Sequence, residues 1–334
     1  AALVAAHSGL AEICTWQGQF CAALEHASAA IKLIESIAPF LAPSLAPSLA
    51  PSMAPHAGLS AFAQVSAYSY AAFAAWMLGY PEQAKRHSED AIKLAMQLKQ
   101  PTTQLFALHY ATMFKLFSRL PDEALVFSEA QVKMAHEQQA RYWLVGGQVF
   151  RGIARALANS GEEAREEAIA EARKALIAYR TPGANTGLPM VSAHFAYCLA
   201  RHGRIDEALA TLAQANDLGE RIGERICAAE IHRLLGEVKF AQAGEGSNAE
   251  AIAHLQRALD IAREQAARML ELRASMSLAR AWCKMGRVNE ARELLSGIYA
   301  WFTEGFDCAD LQEAKALLEQ LSANDPRLSM GPSS

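Results

Sequence analysis

The feature that most constrains this 334-residue chain is a turn signal that returns at a nearly constant interval. A Gly or other turn residue, then an acidic residue, then an Ala recur as GYPEQA ending at Ala84, RLPDEA at Ala124, GEEAREEA at Ala168, GRIDEA at Ala208, GSNAEA at Ala251 and GRVNEA at Ala291. Successive alanines lie 40, 44, 40, 43 and 40 residues apart, and GQFCAA ending at Ala23 reads as an earlier copy displaced by an insertion. A period of this length marks a stacked array, because one such unit cannot bury its apolar stripe alone. Seven units are therefore expected, each packing only on its neighbours.

Every unit carries the physics of a helical hairpin. A first helix ends in a polar turn, often with Gly, which accepts the left-handed conformation that closes a helix. A second helix then begins at Asp or Glu, set against its partial positive N-terminus. Apolar residues follow at three- and four-residue spacing, as in Ala208, Leu209, Leu212 and Ala215 or Ala251, Ile252, Leu255 and Leu259. Alanine is abundant while Val, Ile and Thr are sparse, which favours helix over strand. The fold expected is all-α, an α-solenoid of hairpins wound into a right-handed superhelix.

The net charge of −4 is spread along the chain, and no Lys/Arg cluster interleaved with aromatics offers a nucleic-acid footprint. No basic amphipathic face points to a membrane surface. Leu59 to Gly79 lacks charge and is long enough to span a bilayer, but Ser60, Gln64, Ser66, Tyr68, Ser69 and Tyr70 dilute it, and it keeps phase with the other units. It reads as a helix buried on most sides. Six scattered cysteines (Cys14, Cys21, Cys198, Cys227, Cys283, Cys308) form no framework and read as reduced thiols of a cytoplasmic protein. The chain opens without a Met or a signal peptide, inside an apparent helix, which reads as a piece of something longer.

The pattern resembles the tetratricopeptide repeat: Leu235-Gly236 followed by Gly244 or Gly246, and small residues opening the second helices, fit its consensus. The unit here is roughly 40 residues against the usual 34 or so, and the longer unit looks like the arrays of large bacterial signal-transduction ATPases. The stretches Ala229 to Gln242, Ala251 to Trp282 and Gly286 to Leu321, with Leu78 to Leu98 and Gly223 to Leu234, are similar to one family. That family is the C-terminal repeat region of bacterial proteins that carry a nucleotide-cyclase domain, a P-loop ATPase domain and then these repeats. The resemblance implies a protein-interaction and regulatory module that binds a protein or peptide, or its own ATPase and cyclase domains. Related regions occur in ATPase-type transcriptional activators, so an effector-sensing arm and a stand-alone scaffold remain as alternatives.

The organisation expected is a first repeat over 1–38, cut short; a Pro-rich inserted loop over 39–58; the array with a capping helix near Asp310 to Leu321 over 59–321; and a disordered tail over 322–334. The insertion places Pro39, Pro43, Pro47, Pro51 and Pro55 every four residues, removing helix donors. It reads as an expanded loop rather than a docking ligand, since no basic anchor flanks it. TPGANTGLP (Thr181 to Pro189) and AGEGSN (Ala243 to Asn248) read as inter-helix loops.

Motifs for chemistry are missing from the sequence: no GxxxxGK[ST], no HExxH and no GxSxG. His194, Cys198 and His202 fall within an arc of about 80° on one helix, yet the outer pair is too far apart for one ion, and a buried Cys flanked by two imidazoles is the better reading. Glu162, Glu163, Glu166, Glu167 and Glu171 alternate with Arg165, Arg173 and Lys174, as on a solvated face. Trp76, Trp143, Trp282 and Trp301 sit in apolar helical faces and read as core. No catalytic residue, metal or cofactor is expected.

A partner is expected in the concave groove lined by first helices. Counting back from each turn places Phe73, Trp76, His109, Arg151, Arg155, Tyr197, Arg233, Glu237 and Arg280 there. Arg151, Arg155, Arg233 and Arg280 would form a discontinuous cationic stripe for carboxylates. The competing reading pairs these arginines with acids such as Glu230 or Glu237 to hold units together.

Overall fold

The computed structural model describes residues 2–37, 54–158, 161–180, 185–242 and 248–323, and these form fifteen α-helices and no strand. Seven antiparallel hairpins follow in order: α1 Ala2–Trp16 with α2 Phe20–Ile37, α3 Ala54–Met77 with α4 Pro81–Leu98, α5 Pro101–Phe117 with α6 Pro121–Glu137, and α7 Arg141–Leu157 with α8 Glu162–Tyr179. Then come α9 Leu188–Arg201 with α10 Ile205–Ile222, α11 Ala228–Gln242 with α12 Ala249–Glu264, α13 Arg268–Lys284 with α14 Val288–Tyr299, and the cap α15 Ala309–Ala323. The architecture is the expected tetratricopeptide-like superhelix, and α15 lies against α13 and α14 where a capping helix was read.

The recurring alanine explains the stacking. Ala23, Ala84, Ala124, Ala208 and Ala291 each take the fourth position of a second helix, and all seven alanines of the signal are buried. A methyl group at this contact lets the two helices of a hairpin approach closely, and a larger side chain would push them apart. The turns repeat as well. Gly18, Gly79, Gly203 and Gly286 adopt φ of +72° to +94°, and in the third unit Arg119 occupies the same place at φ +61°. The backbone closes identically there, with Leu120 N–H donating to the Lys115 carbonyl at 2.9 Å as Arg287 N–H donates to that of Trp282.

The superhelix winds back on itself, so late units touch early turns. Arg225 N–H donates to the Trp16 carbonyl at 2.7 Å, and Gly18 faces Gln265 with no room for a Cβ. Gly79 abuts Trp301 in the same way. At the start of α4 the N-cap position, Tyr80, offers no side-chain cap; Glu304, more than two hundred residues later, accepts the Glu82 and Gln83 N–H groups at 3.0 and 3.1 Å. Glu82 returns the bond, accepting Gly305 N–H at 3.0 Å. The free donors of a helix start are thus satisfied across the molecule.

Three expectations shift at their edges. Helix α3 begins at Ala54, so the last residues of the 39–58 loop are helical; Pro55 falls in the first turn, whose N–H groups need no helical partner. Helix α9 starts at Leu188, inside the loop expected to run to Pro189. Helix α15 reaches Ala323, and the remainder of the expected tail lies outside the described residues, as do 38–53 of the Pro-rich insertion and 243–247 of AGEGSN. No described helix is long and apolar enough to cross a membrane. All six cysteines are free, with Cys14, Cys198 and Cys227 buried.

Candidate functional site

First helices converge on the concave face of the later units, where α5, α9, α11, α13 and α15 enclose a cavity of about 240 Å³. Its wall is built on helical periodicity. Glu230, Arg233 and Glu237 share one face of α11; Arg273, Ser277 and Arg280 share one face of α13; His194, Tyr197 and Arg201 share one face of α9.

Eight of these side chains alternate in sign along one continuous chain. Arg233 lies between Glu237 at 2.7 Å and Glu230 at 2.6 Å. Glu230 is 3.7 Å from Arg273, which grips Asp310 through two bonds of 2.9 and 2.7 Å and donates to the Phe117 carbonyl at 2.6 Å. Asp310 also meets Arg119 at 3.2 Å; Arg119 pairs with Glu313, and Glu313 with Arg280 at 2.5 Å. Ser277 donates to Glu237 at 2.6 Å. The Arg273 guanidinium also rests 4.7 Å from the centre of the Trp76 ring.

Depth divides the network. Asp310 is 2% exposed and Arg273 7%, so this pair is held out of water and depends on its full set of partners. Glu237 and Glu313 lie about one-third exposed at the rim. Burial alone would raise the Glu230 carboxyl, but Arg233, with Arg273 behind it, holds it down at about 2. His194, half-buried, has Nδ1 3.0 Å from the Met190 carbonyl and sits edge-on to Phe117; burial and the Arg273 charge lower its pKa, which keeps the ring neutral at pH 7. Four arginines answer four carboxylates, and Arg201 is left over. It is exposed at the cavity mouth with no acidic partner among the described residues.

The residues expected in the groove therefore separate into three places. Tyr197, Arg233, Glu237 and Arg280 come together in this cavity. Phe73 and Trp76, each 2% exposed, lie in the core, with Trp76 beneath Arg273. A partner does not reach either ring in this arrangement. His109 is buried in a second, aromatic cavity of the earlier units, where Gln131 Nε2 lies 3.1 Å from its Nδ1 and burial pushes its pKa down to about 4. Arg151 and Arg155 stand apart on α7, and both pair with Glu171, at 2.5 and 3.1 Å. Every arginine of the expected stripe thus has an acid beside it, for Arg151, Arg155 and Arg233 within the same hairpin. His194, Cys198 and His202 diverge: Cys198 is core, and His202 Nε2 is 2.8 Å from the Ala156 carbonyl.

Arg119, Arg201, Glu230, Arg273, Asp310 and Glu313 were not among the expected groove residues. Arg273 was legible: it sits seven residues before Arg280 and four before Ser277, on the same helical face. Arg119 and the pair in α15 carry no such signal.

No protein-family model matches the sequence, and no curated protein matches it as a relative. Solved structures do match in fold. Yeast Tom70 aligns with a TM-score of 0.51 at 15% identity, over 92% of this chain and 62% of that one. A signal-transduction ATPase with numerous domains and a tetratricopeptide repeat sensor, from Pyrococcus horikoshii, aligns at 0.51 and 11%, over 92% of this chain and 47% of that one. A Rap protein complexed with competence and sporulation factor aligns at 0.52 and 10%, over 98% and 99%. At these identities the likeness is one of fold.

Proposed function

We propose that this chain is a non-catalytic module whose arginine cavity receives the carboxylates of a protein or peptide, and that it serves as the regulatory arm of a signal-transduction ATPase or nucleotide cyclase. The observation that carries the binding role is the surplus cation. Arg201 has no acidic partner among the described residues and stands at the mouth with Tyr197, while the two rim carboxylates, Glu237 and Glu313, set a geometry that Arg233 and Arg280 accept. An incoming carboxylate would meet Arg201 first, then take the place of a rim glutamate. Swapping one ion pair for another adds little desolvation cost, because the deep Arg273–Asp310 pair stays intact. The signalling context is supported by the tail resemblance and by the likeness to an ATPase that bears a repeat sensor, less than half of whose length this chain spans.

Binding is tested with an array of acidic peptides and their Gln and Asn counterparts, read by fluorescence anisotropy. Acidic members should bind, their amide counterparts should not, and Arg201→Ala should weaken binding by about tenfold without changing the melting temperature. Equal capture of acid and amide peptides would sink the binding reading. The coding region upstream of Ala1 tests the context: a P-loop ATPase preceded by a cyclase domain is expected, and a start codon immediately ahead would leave a free-standing scaffold.

A further inference from the structure

The earlier units enclose a second cavity whose chemistry is opposite to that of the first. It measures about 290 Å³ and opens between α1, α3, α5, α7 and α9, with Tyr179 of α8 and the turn at Thr186 and Gly187 completing it. No side chain is shared with the arginine cavity, although α5 and α9 run through both.

Its walls are aromatic. Phe106 stacks on Tyr110 with ring centres 4.3 Å apart, meets Phe62 edge-on at 4.7 Å and faces Trp143 edge-on at 6.2 Å. Tyr142 packs against Trp143 at 5.1 Å and joins its hydroxyl to that of Tyr179 at 3.0 Å. Trp16, also in the wall, holds a buried indole N–H with no hydrogen-bond partner among the described residues. No Lys or Arg lines this cavity; the one carboxylate is Glu12. His109 stays uncharged at pH 7 because burial lowers its pKa to about 4.

Aromatic faces carry partial negative charge, and several turned toward one space attract a cation that sheds water easily. The Glu12 carboxylate, at the solvent-exposed edge of the same space beside the Tyr70 hydroxyl, adds to that field, and no Lys or Arg of the lining opposes it. An anion would meet no positive group among the lining residues. Inorganic cations hold their water too strongly for a ring-lined chamber with a single carboxylate. We propose that this chamber is a binding site for an alkylammonium group, of quaternary or tertiary type. The volume suits one small molecule or one modified lysine side chain.

The experiment is calorimetric titration of the full chain with choline, tetramethylammonium and 3,3-dimethylbutan-1-ol, the last having the shape of choline without its charge. Choline and tetramethylammonium should bind, and the neutral alcohol should bind about tenfold more weakly or worse, the size expected for cation–π attraction in a partly desolvated site. Glu12→Gln and Tyr142→Leu, both at exposed positions, should weaken choline binding while the melting temperature holds. Arg201→Ala should leave choline binding unchanged, which separates this site from the peptide reading. A trimethyllysine peptide distinguishes the sources: tighter binding than choline assigns a modified protein tail, weaker binding a free metabolite. Equal binding of choline and the neutral alcohol, or no binding by either cation, overturns the proposal.

Discussion

Two glutamates six residues apart, Glu224 and Glu230, show how differently the two halves of the concave face are built. Glu224, 6% exposed, has one oxygen accepting Gly187 N–H at 2.7 Å and the other without a partner among the described residues; burial drives its carboxyl up to about 7, against the pull of the Gly187 and Met190 amides. Glu230 is held down near 2 because Arg233 and Arg273 outweigh the burial that would raise it. The first faces the aromatic side, the second belongs to the arginine side. The same first-helix positions of one repeat carry rings in the early units and ion pairs in the late ones. In the early units Phe73 meets Tyr110, Phe114 and Phe117 edge-on at 5.7 to 6.3 Å, a cohesion that needs no charge.

The largest expected effects test whether the halves differ in kind. Phe73→Ala should cost about 3–5 kcal/mol through the cavity it leaves, independent of salt. Asp310→Ala should cost a similar 3–5 kcal/mol or so, by stranding Arg273 in the interior, and α15 should become the first site of proteolysis. The halves part company on rescue: the double change Arg273→Met with Asp310→Leu should recover most of the loss, since apolar replacement of a buried pair is often neutral, whereas no charge change rescues Phe73→Ala. Urea titrations of the three variants measure this. A double variant as unstable as Asp310→Ala would mean that Arg273 is held for the Phe117 carbonyl and Trp76 as much as for Asp310.

The pH dependence comes next in size. For Glu224 the folded value lies above the unfolded one of about 4.3, so its contribution is full below about pH 4 and is lost as pH rises through 7, on the order of 3 kcal/mol. For Glu230 the folded value lies below, so its contribution is present above about pH 4 and disappears as pH falls toward 2. Buried His109 and His194 have lowered values and add stability as pH rises through the same window, so Glu224 shows in a difference: the stability of the wild type minus that of Glu224→Gln should fall by on the order of 3 kcal/mol between about pH 4 and 7. Glu230→Gln should remove the Glu230 part of the acid limb. A difference that does not fall between about pH 4 and 7 would refute the account of Glu224.

Much of this was legible in the residues, and the limit has a physical cause. The turn signal, the buried alanines and the terminal helix are local, so spacing alone placed fifteen helices in seven hairpins with a cap. Tyr197, Arg233, Glu237 and Arg280 were legible because first helices of adjacent units repeat the same face. The rest depends on superhelical pitch. Arg119 reaches Asp310 across 191 positions, and Glu304 caps α4 across 222. Such distances are set by the sum of small rotations between units, and no single motif encodes that sum. The pitch also buried Phe73 and Trp76, which an open groove would have presented.

Arg119 offers the smallest effect and the sharpest reading of the arginine side. Its equivalents at four other turns are Gly, and its own φ of +61° strains an L side chain by about 1–2 kcal/mol. In return it joins Asp310 and Glu313 from a position 36% exposed, where each pair contributes about 0.2–1 kcal/mol. The terms nearly cancel, so Arg119→Gly should change stability by less than about 1 kcal/mol, in contrast to Asp310→Ala. Binding should not cancel in this way: without Arg119, Glu313 keeps only Arg280, swings more freely, and competes less well with an acidic peptide for that guanidinium. Affinity should therefore rise while the melting temperature stays put. A loss of more than about 2 kcal/mol instead would show that the eight alternating charges act as one cooperative unit, and that the cavity opens as a whole or not at all.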